Sequence, residues 1–240
     1  TVADITAALT GITDYAGAIK LTDVPADTDA LVAIAAKTKG KITLPANAYT
    51  DLEGTAAELQ PVLAKINGAY KGDVTVTTLD ADSVKALAQL KAINNATSGD
   101  VTVTIPSALE GSIKDIQAAL NGNTVFAAAV TVTVTDTKYT LAQLKTIVDS
   151  GVTSIVLDVN APLSGSVADL NAVLVVATGY KGAITVTGNY NLAQLQTIDT
   201  YTTGKINVAN KSVALEGLAA DLAAMLPNLA GYKGAVTVND

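Results

Sequence analysis

The chain has 240 residues, 49% of them hydrophobic, yet it holds one Phe (Phe126), one Met (Met225) and no Trp, Cys, His or Arg. Its net charge is −7 and every cation is a Lys, so it lacks the Arg-rich basic footprint that nucleic acid requires. Without imidazole, thiolate or guanidinium most catalytic repertoires are closed, and without a run of about 18 apolar residues a helical membrane span is excluded.

Read from the N-terminus, the chain is a series of two alternating kinds of segment. Residues 2 to 23 resemble a degenerate first kind, and DTDALVAIAAKTKGKITLPAN from Asp27 is a loose second kind. LEGTAAELQPVLAKINGAYKGDVTVTT from Leu52 is a full first kind, followed by SVKALAQLKAINNATSGDVTVTI from Ser83 as a second. The alternation continues with LEGSIKDIQAALNGNTVFAAAVTVTVT from Leu109, YTLAQLKTIVDSGVTSIVLDV from Tyr139 and LSGSVADLNAVLVVATGYKGAITVTG from Leu163. YNLAQLQTIDTYTTGKINVAN from Tyr190 and LEGLAADLAAMLPNLAGYKGAVTVND from Leu215 complete it. The full first-kind segments start 57, 54 and 52 residues apart. About nine units averaging roughly 27 residues carry the period of a stacked repeat.

Each unit changes period once. Leu141, Leu144, Ile147 and Val148 recur at helical spacing, as do Leu192, Leu195 and Ile198, and Val84, Leu87, Leu90 and Ile93. A glycine follows (Gly40, Gly99, Gly151 and Gly204, or Gly72, Gly182 and Gly234), read as the left-handed position that ends a helix or turns the chain. Then β-branched residues alternate at period two, as in Val74-Thr75-Val76-Thr77, Val101-Thr102-Val103-Thr104, Val130-Thr131-Val132-Thr133 and Ile184-Thr185-Val186-Thr187. Helix then strand, repeated in one direction, predicts parallel strands with Val and Ile toward the helices. The expected fold is one α/β solenoid domain over residues 1–240, with a single parallel β-sheet and a layout like a leucine-rich repeat. The opening Thr1-Val2-Ala3-Asp4 has no initiator Met or signal peptide, so a processed chain or part of a longer repeat protein is expected.

Three recurring features are candidate contact or binding surfaces. Thr75, Thr77, Thr102, Thr104, Thr131, Thr133, Thr185 and Thr187 would line one sheet face with hydroxyls and methyls. That face suits self-association, glycan contact or ice, interrupted where Val156, Asp158, Asn207 and Ala209 take its positions; equally, Thr is the polar residue best suited to an exposed strand. Tyr70-Lys71-Gly72, Tyr180-Lys181-Gly182 and Tyr232-Lys233-Gly234 place Tyr70, Tyr180 and Tyr232 at one corner, as a contact stripe or as rings packed over helix ends. Asp27 with Asp29 and Asp80 with Asp82 are carboxylates two residues apart that could share calcium or cap the helices that follow. No cofactor is required. Glu53, Glu110 and Glu216 recur at one unit position, along a ridge and not across a cleft, so no enzyme is expected.

Thr55-Ala56-Ala57-Glu58-Leu59, Val167-Ala168-Asp169-Leu170 and Leu141-Ala142-Gln143-Leu144-Lys145-Thr146-Ile147, followed by a Thr/Ser-x-Gly or Ser-Gly turn, resemble the repeats of very large secreted proteins of marine cyanobacteria and proteobacteria. These are calcium-associated RTX-like exoproteins, adhesins and surface-layer-like components. The resemblance implies an extracellular, structural or adhesive role. Together with the repeats it gives the expected function, a cell-surface coat, fibre or adhesin stalk that self-associates through its open ends or its threonine face, with copies of itself, flanking repeats or surface glycans as partners. It transfers no catalytic or binding residue.

Overall fold

The computed structural model describes residues 1–25, 27–46, 51–104, 108–122, 124–177 and 179–239. Asn47, Ile105, Asn123, Thr178 and Asp240, quoted above within repeats, lie outside them. The fold is mixed α/β with parallel strands, and the chain gathers into two compact units, residues 1–109 with 114–130 and residues 110–113 with 131–240.

In the first unit the order is α1 (Val2–Ala8), β1 (Ile19–Lys20), α2 (Thr28–Lys37), β2 (Ile42–Thr43), β3 (Leu52–Thr55), α3 (Ala56–Lys65), β4 (Val74–Thr78), α4 (Ser83–Ala96) and β5 (Val101–Val103). β6 (Leu109–Gly111), whose last two residues belong to the second unit, is followed by α5 (Ile113–Leu120) and β7 (Thr124–Phe126). β1 pairs with β2, and β3–β4–β5–β7 form a second parallel sheet in which Leu52, Val74, Val101 and Thr124 stand in register. α1 packs on α2, α2 on α3 and α3 on α4.

The second unit holds β8 (Thr131–Val134), α6 (Leu141–Asp149), β9 (Ser154–Leu157), β10 (Leu163–Gly165), α7 (Val167–Leu174), β11 (Ile184–Val186), α8 (Leu192–Tyr201) and β12 (Ile206–Val208). It ends with β13 (Leu215–Gly217), α9 (Ala219–Met225), a 3-10 turn Leu226–Asn228 and β14 (Val236–Val238). Its sheets are β6–β8–β9, β10–β11–β12 and β13–β14, and α6 to α9 pack in succession. Leu163, Ile184 and Ile206 share one register level and Val186 and Val208 another, and all are buried. Burying each such side chain contributes about 1.5–3 kcal/mol, so the core is built of thin aliphatic layers, to which Tyr70, Tyr139, Tyr180 and Tyr190 add the buried aromatic rings.

The helices follow the expected pattern. Leu141, Leu144 and Ile147, and Leu192, Leu195 and Ile198, are buried. In α4 the buried face is Ala86, Leu87, Leu90 and Ile93, while Val84 in the first turn is 74% exposed. Thr55 with Glu58, Thr140 with Gln143, and Asn191 with Gln194 form reciprocal capping boxes at the starts of α3, α6 and α8.

Two expectations are corrected. In place of one sheet, the described residues pair in five. The Leu-x-Gly segments ahead of the first-kind helices are strands themselves (β3, β6, β10 and β13), and each is the first strand of its own sheet. Most of the glycines also serve a purpose other than the left-handed turn expected of them. Of those named, only Gly151 has a positive φ. A Cβ on Gly99 would lie 2.2 Å from the Gly72 carbonyl oxygen, and one on Gly204 only 2.0 Å from that of Gly182. These positions need glycine because the backbones of successive segments touch there.

Candidate functional surfaces

The glycine contacts belong to a corner that recurs in both units. Thr38 Oγ1 lies 3.1 Å from the Tyr15 carbonyl and 3.0 Å from that of Gly17, which share its one proton, and accepts from the Gly40 N–H at 2.9 Å. Thr97 does the same with Tyr70 (3.1 Å), Gly72 (3.0 Å) and Gly99 (3.1 Å). Thr202 joins the Gly182 carbonyl (3.3 Å) to the Gly204 N–H (2.9 Å). A Thr-x-Gly of the second kind is thus seated on a Tyr-x-Gly of the first, its hydroxyl satisfying a donor and an acceptor that would otherwise lie inside unpaired. The recurrence of Thr-x-Gly at 38–40, 97–99 and 202–204 was the available sequence signal for this corner.

The tyrosines look inward at the same corner. Tyr70 and Tyr180 are buried, which leaves Tyr232 as the member of the proposed stripe with a partly accessible ring. The Tyr180 hydroxyl donates to the Ala161 carbonyl at 2.6 Å and the Tyr232 hydroxyl to that of Val213 at 2.6 Å. Tyr139 donates to Val159 O and receives the Ala161 N–H at 3.0 Å, and Tyr190 donates to Asn210 O at 2.5 Å. Burial pushes the phenols of Tyr139, Tyr180, Tyr190 and Tyr232 above their ordinary range, Tyr180 well above.

The threonine rows are short. In the first unit Thr75 stands beside Thr102, but the row reads Glu53, Thr75, Thr102, Val125 across the sheet. Thr77 and Thr104 lie half-buried one level on, and Thr104 Oγ1 turns back to the Val76 carbonyl at 3.4 Å. In the second unit Thr131 stands beside Ser154, Thr133 beside Val156, and Thr185 between Ser164 and Asn207. Thr187 follows β11, its N–H donating to the Gly165 carbonyl at 2.8 Å. Glu53 and Ser164 enter these rows because Leu-x-Gly is a strand, which a three-residue segment without β-branched alternation does not announce.

The acidic pairs serve the helices. Asp27 accepts from the Ala30 N–H at 2.9 Å as the N-cap of α2, and Asp29 lies exposed in its first turn. Asp82 caps α4 through the Val84 and Lys85 N–H groups at 3.0 and 3.3 Å, while Asp80 accepts from the Asp82 N–H at 2.9 Å. Calcium takes about six to eight oxygens, and of these four carboxylates Asp27, Asp80 and Asp82 already accept from backbone N–H groups. Asp27, Asp29, Asp51 and Glu53 line one shallow depression, but no group of three or more acids among the described residues is arranged to hold a metal ion.

The surface with the least local explanation is the terminal strand. β14 pairs with β13 on one side, and Val236 and Val238 are 44% and 51% exposed. Leu218, which stands at the N-cap of α9 without a side-chain cap, is 54% exposed. At the N-terminus, Ile5, Leu9, Ile12, Tyr15 and Ile19 line an open apolar groove.

No helix among the described residues is long and apolar enough to cross a membrane. No protein-family model and no curated protein matches this chain.

Proposed function

We propose that the chain is a non-catalytic structural repeat segment, an α/β solenoid of alternating coils that works as a spacer or building unit of an extracellular coat, fibre or adhesin stalk. The observation that carries this reading is the recurrent corner. The same Thr-x-Gly on Tyr-x-Gly seat and the same parallel register appear in both units, as expected where stability comes from identical neighbours and not from one singular core. The threonine rows are broken by Glu53, Val125 and Val156, while β14 leaves the apolar side chains of Val236 and Val238 half exposed for contact. The resemblance to large secreted repeat proteins supports the extracellular location, which labelling of intact source cells by an antibody to the chain would check.

The repeat reading makes a demanding prediction. Removing residues 163–214, one full two-kind period, brings Leu215 to the place of Leu163, so a register-preserving deletion should leave a folded chain with unchanged helicity per residue. Its urea m-value should fall by about a fifth, in proportion to the surface no longer exposed on unfolding. A singular globular domain deprived of such a segment unfolds or aggregates, and that result would remove the proposal.

A further inference from the structure

The internal register specifies what fits the open edge of β14. In β11 the Ile184 N–H donates across to the Lys205 carbonyl at 2.9 Å, and the Ala209 N–H returns to the Val186 carbonyl at 2.9 Å. In β14 the Asn239 N–H points the other way, to the Gly217 carbonyl at 3.0 Å. Alternation along a strand therefore directs the N–H and C=O groups of Val236 and Val238 toward the unpaired side. The side chains of those two residues, half exposed, are the counterparts of Ile184 and Val186, which are fully buried. The corner has the same asymmetry. Tyr15–Gly17, Tyr70–Gly72 and Tyr180–Gly182 each carry a Thr-x-Gly seat, and among the described residues Tyr232–Gly234 carries none.

We propose that this edge is a docking site for one further coil of the second kind. Its chemistry is a short amphipathic helix, a Thr-x-Gly corner whose hydroxyl takes the Gly234 carbonyl, and a parallel strand of β-branched residues laid on β14. The inference rests on the repeat reading and continues its internal interface. A coil of the first kind does not fit. Its tyrosine reaches down to a loop carbonyl, as Tyr180 does to Ala161 and Tyr232 to Val213, and does not sit over a glycine corner. For the same reason a second copy is the wrong occupant, because its N-terminal coil would bring Tyr15 over Gly234.

The test lengthens the full chain at its C-terminus with a copy of its own residues 189–210, and in a second version with a copy of its first-kind residues 163–187. Residue-resolved hydrogen exchange is read at Val236 and Val238, with Thr237 and Asn239 as the inward-facing reference and Ile184 and Ile206 as reporters of an intact host. The second-kind extension should slow exchange at Val236 and Val238 at least ~10-fold and more than at Thr237 and Asn239. Where the extension disturbs the host reporters, the same segment added as a separate peptide is read at the same amides. Unchanged exchange overturns the proposal. So does equal protection by the first-kind extension, or protection of the original chain that rises with its concentration and marks a second copy as the occupant. If the 163–214 deletion folds and the extension fails, the docking inference falls alone; if the deletion fails, the repeat reading falls with it.

Discussion

β11 and β14 are nearly the same strand in two surroundings. Lys181-Gly182-Ala183-Ile184-Thr185-Val186 and Lys233-Gly234-Ala235-Val236-Thr237-Val238 both follow a tyrosine and both pair in parallel with a Leu-x-Gly strand. Ile184 and Val186 are 0% exposed, yet Val236 and Val238 are about half exposed. Sequence and local conformation are shared, so the difference in burial comes from β12, which covers β11 and among the described residues has no counterpart on β14. A coil here does not bury its own face; its neighbour does.

The largest expected effect tests that statement directly. Ile184→Ala should cost about 2–5 kcal/mol in urea unfolding, the transfer loss plus a cavity closed on both sides. Val236→Ala should stay within about 0.5 kcal/mol, as for a surface site. Equal losses at the two positions would mean that β14 is covered in solution, and the comparison would fail.

Next is the corner that seats the chain ahead of β11 and, among the described residues, has no match ahead of β14. Thr202→Val removes the hydroxyl that joins the Gly182 carbonyl to the Gly204 N–H and leaves buried groups without a partner, at a cost of about 1–3 kcal/mol. Thr203→Val, one residue on and exposed, should be close to neutral in the same urea titration. Similar losses at both would show that the cost does not come from the hydroxyl at the Gly182–Gly204 corner.

Much of this was legible in the sequence and some was not, for physical reasons. Leu141, Leu144 and Ile147 or Val101 and Val103 could be read because a buried face imposes its period on several residues in succession. Leu52-Glu53-Gly54 could not, since three residues carry no period and its strand exists only because β4 lies alongside. Without that strand the expected sheet was single and the threonine rows looked purer than they are. The purpose of Gly99 and Gly204 is not legible locally because the demand on them comes from the backbone of another segment. The exposure of Val238 is likewise invisible in a repeat that matches its buried copies.

The tyrosines extend the comparison to pH. Burial raises the phenol pKa of Tyr180 and, with smaller shifts, those of Tyr139, Tyr190 and Tyr232. The folded state then holds protons that the unfolded chain releases near pH 10. Stability from this source is complete below about pH 10 and declines as pH rises through the folded values, by at most about 1.4 kcal/mol per pH unit for each group. Tyr180→Phe should therefore flatten the alkaline limb of the stability curve more than Tyr232→Phe, because the Tyr232 ring is partly exposed. The reverse order in alkaline urea titrations would contradict the covered and uncovered assignment of the two corners.

The smallest effect lies at the helix that leads into β14. α3 and α7 start from Thr55 and Ser166, whose hydroxyls accept from the N–H groups of Glu58 and Asp169 at 3.3 and 3.2 Å, but α9 starts from Leu218 without a side-chain cap. Leu218→Ser supplies the missing acceptor and removes an exposed apolar side chain. In the chain by itself it should add about 0.5–1 kcal/mol to stability, read as a rise in urea midpoint at constant m. In the chain lengthened by a second-kind coil the gain should shrink if the added coil packs on Leu218. A full gain in both would restrict the contact at that end to Val236 and Val238, so this substitution separates a strand-only junction from one in which the start of α9 also takes part.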